Sequence, residues 1–271
     1  MAKDFGARFR IKPGDRVRLA KRDPADLKAF PDKRAARERS VKDGEAINKL
    51  QDRLYAEHRR ALLVVLQGTD TSGKDGTIDH VFKATGPRGV IVAPFRHPSD
   101  EELAHDFLWR AHRACPPRGY LGVFNRSHYE DVLVGRVRHL APPDEIDARY
   151  DQINDFEKML TENGTVILKF MLHISKNEQK KRLQARLDER ESRWKFNPGD
   201  LGDRRLWDEY QRAYELMLQR CSTAWAPWYV IPADHKWARN AAIAAIVRAT
   251  LEDMDPKYPK PDWDPDEFEI V

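Results

Sequence analysis

The sequence predicts an α/β fold in three layers: a five-stranded parallel sheet covered by helices on both faces. Short apolar runs of six to eight residues alternate with longer stretches of helical spacing. Each run is nearly continuous in apolar residues instead of alternating, as expected of strands buried on both faces. The first run ends in a glycine-rich turn that opens a helix.

Residues 1–31 are polar, interrupted by Pro13, Pro24 and Pro31, and read as an irregular arm. From Lys33 to Arg60 there is no proline, and Ile47, Leu50, Leu54 and His58 recur at helical spacing, which predicts one amphipathic helix. The strands follow as Leu62–Gln67, Val90–Phe95, Tyr120–Asn125, Thr165–Leu172 and Trp228–Ala233. Ser99 caps a helix running to about Arg113, with Asp100, Glu101 and Glu102 in its first turn. The last helix runs from about Lys236 to Leu251. The expected organisation is an N-terminal basic arm and helix packing on the core (1–60), a core (61–255) with a lid at about 176–206, and an acidic, extended tail (256–271).

The 271 residues carry a net charge of only +4, unevenly spread. Residues 1–60 hold 18 Lys/Arg against 10 Asp/Glu, and residues 252–271 hold 8 acids against 2 lysines. A basic front end can meet nucleic acid, a membrane or a polyanionic substrate, although such a run is more often a solvated arm. The longest apolar run, Ala61 to Leu66, is far too short to span a bilayer, and the first ten residues lack a signal-peptide stretch. Cys115 and Cys221 form no CxxC pair, which argues against a disulfide framework or thiolate zinc and for a reducing cytoplasm.

Chemistry enters at Gly68-Thr69-Asp70-Thr71-Ser72-Gly73-Lys74-Asp75-Gly76, a G-x-x-x-x-G-K loop between a buried strand and a helix. Its glycines allow successive amides, from Thr71 and Ser72 through Gly73 to Gly76, to point at one anion. Lys74 and the helix N-terminus add positive charge. The fold is therefore of the P-loop kinase type. Position 75 is Asp where nucleoside-triphosphate enzymes carry a Mg²⁺-binding Ser or Thr, so Asp70 is the candidate hard-oxygen ligand. The third strand ends in Asn125-Arg126-Ser127-His128-Tyr129-Glu130, facing the same crevice. Arg126 can clamp a phosphate, and Asn125 or Glu130 can orient or ligate metal.

This combination resembles the polyphosphate kinase 2 family. Support comes from Pro98-Ser99-x-x-Glu102 before Leu108-Trp109-Arg110, from Trp207-x-x-Tyr210, from Ala226-Pro227-Trp228 and from Asp234-x-Lys236, over about Lys33 to Leu251. Many members read Asp-Arg-Ser-Trp-Tyr-Asn where this chain has Asn125, His128 and Glu130. The Arg-Ser-His-Tyr-Glu-Asp form is similar to the subgroup that phosphorylates both nucleoside mono- and diphosphates. The resemblance implies Mg²⁺ (or Mn²⁺), held chiefly by Asp70. It implies inorganic polyphosphate as donor and AMP or ADP, with GDP also open, as acceptor on the Asn125 and Glu130 side. Arg88 resembles a polyphosphate-channel position. The expected partners exclude nucleic acid and membrane, and a homo-oligomer is expected. Lys74, Asp70 and Arg126 are the expected catalytic residues.

Residues 176–206 hold ten Lys/Arg against six acids. Arg182, Arg186 and Arg190 repeat every four residues on one helix face before Trp194–Gly199 breaks the helix. That pattern suits a lid closing over a polyanion; a surface helix braced by Glu178–Arg182 is the plainer alternative. His105 and His112 read as structural, and Trp225, Trp228 and Tyr229 as core. An ATP-dependent kinase of the same fold and a non-catalytic nucleic-acid-binding protein are the competing readings.

Overall fold

The computed structural model describes residues 2–264, 267, 268 and 270, and of residues 2–4 only the backbone. Five strands, β1 (Ala61–Gln67), β2 (Val90–Pro94), β3 (Leu121–Asn125), β4 (Thr165–His173) and β5 (Trp228–Pro232), form one parallel sheet in the order β2-β3-β1-β4-β5. Val64 sits level with Val123 on one side and Leu168 on the other, so β1 is central. Its side chains alternate between two cores. Leu62, Val64 and Leu66 join one face under α1 (Lys33–Glu57), α2 (Lys74–Val81) and α10 (Lys236–Met254). Leu63 and Val65 join the other, under α5 (Glu130–Val137), α6 (Pro143–Glu162) and α9 (Trp207–Cys221).

Helix starts follow local chemistry. Asp32 Oδ1 accepts the Ala35 N–H at 2.6 Å at the head of α1. At Ser99 a reciprocal capping box with Glu102 starts a helix. The single helix expected from Ser99 to Arg113 is instead two, α3 (Asp100–Leu103) and α4 (Trp109–Ala114). Asp106 divides them: its Oδ1 takes the Leu108 N–H at 2.9 Å, which favours a turn over continuation.

The arm expected to be irregular holds 3-10 segments at Ala2–Arg8 and Leu19–Lys21 and is tightly packed. Val230 N–H donates to Phe9 O and Ile11 N–H to Trp228 O, both at 2.8 Å, so the arm runs along the β5 edge. Phe9, Ile11, Val17 and Leu19 are buried. Those four apolar residues hold it down, and its described basic residues lie at the surface. Trp225 also departs from the core reading. It is 41% exposed in a bend, with Lys158 Nζ 5.9 Å from its ring centre, whereas Trp228 is fully buried. Of the tail expected over 256–271, Pro265, Asp266, Glu269 and Val271 lie outside the described residues. Residues 256–264 form no helix or strand.

Lys169 stands inside β4 with no solvent exposure. Its ammonium donates to Tyr129 Oη and Cys221 O, each at 2.8 Å, and to the buried Glu157 carboxylate. Burial opposes the charge on Glu157, but Lys169 and His128 together hold its carboxyl below the ordinary range. Lys169→Met alone strands a buried carboxylate and is expected to cost about 3–5 kcal/mol in urea unfolding, while adding Glu157→Leu recovers most of that loss. Equal losses in the single and double variants would show that the pair is not the source of the cost.

Candidate active site

The carboxyl ends of β1 and β3 meet at one crevice, as the sheet order requires. The loop after β1 turns where only glycine fits. Gly68 has φ +152°, and a Cβ there would lie 2.8 Å from Leu172 O. Gly73 has φ +101°, and a Cβ would collide with the Arg239 guanidinium. Lys74 opens α2 and is buried, its Nζ donating to Gly68 O at 2.7 Å and Thr69 O at 3.3 Å. Burial, and then Arg126, push its ammonium down to about 8, so it stays mostly protonated at neutral pH. The Thr71 and Ser72 hydroxyls are buried without a partner, leaving polar capacity in the loop unused.

Arg126 adopts a left-handed backbone (φ +62°) that places its guanidinium between two carboxylates. Nη2 reaches Asp70 Oδ1 at 2.5 Å and Nη1 reaches Glu130 Oε2 at 2.9 Å. Glu130, ahead of burial and Asp70, sets its balance, and the guanidinium is held firmly charged. Asn125 Nδ2 donates to Asp75 Oδ1 at 2.6 Å, tying the end of β3 to the first turn of α2. Asp70, Lys74, Asn125, Arg126 and Glu130 are therefore brought together.

Beside them lies a cleft of about 580 Å³, into which Thr71, Gly73, Asp75, Gly76 and Arg186 also face. A narrow cavity of about 30 Å³ lies on the Glu130 side of the Asp70–Arg126 pair, walled by Trp207, Tyr210 and Tyr214.

Three expected residues are placed differently. Ser72 is fully buried and off the cleft wall, and its N–H donates to Thr69 O at 3.1 Å. Arg88 is exposed at the amino end of β2, away from the crevice, and its carbonyl accepts from Gln51 Nε2 at 3.0 Å. A parallel strand can bring only its other end to the loop, and there it is Arg96 that lines the cleft. Arg182 borders the cleft as expected but is buried, and four backbone carbonyls with Glu178 take up its guanidinium.

The lid differs too. Its first helix, α7 (Lys176–Asp188), stops at Glu189, so Arg190 lies in a following 3-10 turn (Arg190–Lys195) and not on the face of Arg182 and Arg186. Then α8 (Gly199–Arg205) begins, carrying Asp200. Arg186 donates to Lys195 O at 3.0 Å and Asp200 Oδ2 at 3.3 Å, closing the segment on itself. Lys195, Asp200, Lys236 and Arg239 line the cleft and were not singled out as site residues. Lys236 stands in a quoted motif, and Arg239 lies one helical turn beyond it. Asp200 carries no local signal, because only the tertiary fold sets it near Asp70.

His105 stacks on Trp109 at 4.1 Å and His112 meets Phe156 edge-on at 5.8 Å, as structural histidines do. Among the described residues no group of three His, Cys, Asp or Glu is placed to hold a metal by itself. Asp70 and Glu130 fit the different case of Mg²⁺, which commonly takes one or two carboxylates and completes its shell with substrate phosphates and water.

A strand, glycine-rich loop and helix at the switch point of a parallel sheet, beside a basic helical segment, is the architecture of P-loop kinase-like phosphotransferases. Residues 31–259 match the family model described as polyphosphate kinase 2. The chain belongs to the polyphosphate kinase 2 family. It is 52% identical over 256 residues to a Meiothermus ruber protein named AMP/ADP-polyphosphate phosphotransferase, covering 94% of this chain and 96% of that one. It is 40% identical to a Rhodopseudomonas palustris protein named ADP-polyphosphate phosphotransferase, covering 93% and 91%. The crystal structure of polyphosphate kinase 2 from Arthrobacter aurescens TC1 superposes with a TM-score of 0.94 at 41% identity, covering 98% of this chain and 95% of that one.

The Asp200 carboxyl is raised from 3.8 to about 6, first by burial and then by Asp70, with Arg186 and Arg126 opposing. The folded state thus binds this proton more tightly than the unfolded state. The group's contribution to stability is full below 3.8 and is lost as pH rises through about 6. Asp200→Asn, compared with wild type in chelator, should therefore raise the melting temperature more at about pH 7.5 than at about pH 4. A difference independent of pH, measured by thermal unfolding, would show that Asp200 does not carry this strain.

Proposed function

We propose that this protein transfers the terminal phosphate of inorganic polyphosphate to AMP and ADP, with Mg²⁺ or Mn²⁺ required. The observation that carries the reading is the cleft beside the loop. Lys74, Arg96, Arg126, Arg186, Lys195 and Lys236 all face it, a run of cations suited to a chain of phosphates. Asp75 in place of a Ser or Thr hydroxyl argues against an ordinary ATP donor site. The names of the relatives point the same way.

The acceptor phosphate is already largely ionised at neutral pH, with a second pKa of about 6, so no strong general base is needed. The obstacle is repulsion between two polyanions. Lys74 leaves the loop carbonyls and takes donor phosphate oxygens, with the Gly73 amide beside it. Arg126, fixed in plane by Asp70 and Glu130, faces the acceptor side and needs no reorganisation as charge shifts. The bond from the terminal phosphorus to its bridging oxygen breaks as the acceptor oxygen bonds to that phosphorus, in line. Asp70, with Glu130, would hold the metal, which when bound draws the two sets of phosphate oxygens together. Asn125 is committed to Asp75 and serves as an orienting group.

Trp207, Tyr210 and Tyr214, which stand beside Glu130, mark the acceptor side. No helix among the described residues is long and apolar enough to cross a membrane. Both cysteines are free, which supports placement in the cytoplasm. Homo-oligomeric assembly belongs to the same reading, and nucleic acid does not.

Purified protein with polyphosphate, Mg²⁺ and AMP should yield ADP and then ATP, read by luminescence and chromatography, and excess chelator should stop both. Lys74→Ala should lower turnover by about a hundredfold or more while circular dichroism is unchanged. Turnover near wild type in folded Lys74→Ala, or transfer only when ATP is the donor, would overturn the reading.

A further inference from the structure

Two buried guanidinium groups grip the phosphate loop at the border of the cleft. Arg182 is 9% exposed and Arg239 2%. All five N–H donors of Arg182 are engaged. Nη1 donates to Thr71 O at 2.9 Å and Ser72 O at 3.1 Å; Nη2 donates to Ala233 O at 2.7 Å and Asp234 O at 2.9 Å; Nε donates to Glu178 at 2.8 Å. Arg239 adds Nη1 to the same Ser72 carbonyl at 2.9 Å, while Nε and Nη2 hold Asn240 Oδ1 at 3.0 and 2.8 Å. Burying two cations this close is costly. Burial, and then the like charge of Arg182, push Arg239 down to about 9. Surface binding of polyphosphate does not account for that arrangement.

Its geometry does. No peptide bond in the described chain is cis. In a trans peptide the C=O and N–H point in opposite directions. Fixing the Ser72 carbonyl therefore fixes the direction of the Gly73 N–H, which points away from the two guanidinium groups. Two cationic donors on one carbonyl also polarise that peptide and strengthen its N–H as a donor.

We propose that Arg182 and Arg239 are positioning residues for phosphoryl transfer: they grip the Thr71 and Ser72 carbonyls and thereby aim the Gly73 amide into the cleft. The inference rests on the loop being the donor-phosphate cradle. Arg182 belongs to α7, so the clamp also ties the lid to the loop. Asp234, whose Oδ1 accepts the Ser175 N–H at 2.8 Å at the head of α7, closes the ring between lid, loop and the end of β5.

Arg182→Gln, Arg239→Gln and Arg182→Lys should be compared with wild type for kcat and KM, and for hydrogen exchange over residues 69–76. Each is expected to lower kcat by about tenfold to a hundredfold, the range for hydrogen bonds from charged groups, with KM for AMP within about threefold. Exchange should quicken in the loop alone. Arg182→Lys keeps the charge and the stem but cannot span four carbonyls, so it should fold and still lose kcat. Full kcat in the folded variants, or exchange that quickens across the whole chain in Arg182→Lys, would overturn the clamp. An inactive wild type would instead overturn the functional reading, with the loop exchange of Arg182→Lys still deciding the clamp.

Discussion

Mutual repulsion among Lys74, Arg126, Arg182 and Arg239, gathered round one loop, is the constraint on which the rest of the structure depends. Burial, and then Arg126, depress the Lys74 ammonium; burial, and then Arg182, depress Arg239. Each cation is kept in place by oxygen: loop carbonyls for Lys74, Arg182 and Arg239, and carboxylates for Arg126. A polyanion entering the cleft relieves this repulsion, so part of the binding free energy is already stored in the empty protein. The same logic explains why Lys74 folds back on its own loop and why Asp70 and Glu130 flank Arg126.

That concentration of charge rests on a sheet that is buried from β3 to β5, while the edge strand β2 leaves Ile91 and Val92 exposed. Placing β1 at the centre puts the loop between the ends of β3 and β4, with α7 and α10 close enough to reach it. The buried Lys169–Glu157 pair lies under the same region, joined through Tyr129 to the segment that carries Arg126. The N-terminal arm seals the β5 edge, so its basic character faces solvent while its few apolar residues do the packing.

The strands, the loop and the Asn125–Glu130 cluster were legible because each rests on local signals: continuous apolar runs, glycines at fixed offsets, polar residues at strand ends. The departures share a different cause. Arg88 and Arg96 are equally basic, and only strand direction decides which meets the loop. Arg182 fits a lid pattern by spacing, yet four carbonyls supplied by distant segments turn it inward. Asp200 is invisible because its neighbour Asp70 is far away in sequence. The arm was expected to pack on the core, but which residues anchor it was not legible, since Phe9, Ile11, Val17 and Leu19 have no period to announce them.

A structure determined with a short polyphosphate and Mg²⁺ tests the central claim most directly. The account predicts a phosphate within hydrogen-bonding reach of the Gly73 amide and of Lys74 Nζ, with Lys74 released from Gly68 O and the chain running along Arg186 and Lys236. Polyphosphate bound elsewhere, with Lys74 still on the loop carbonyls, would contradict it.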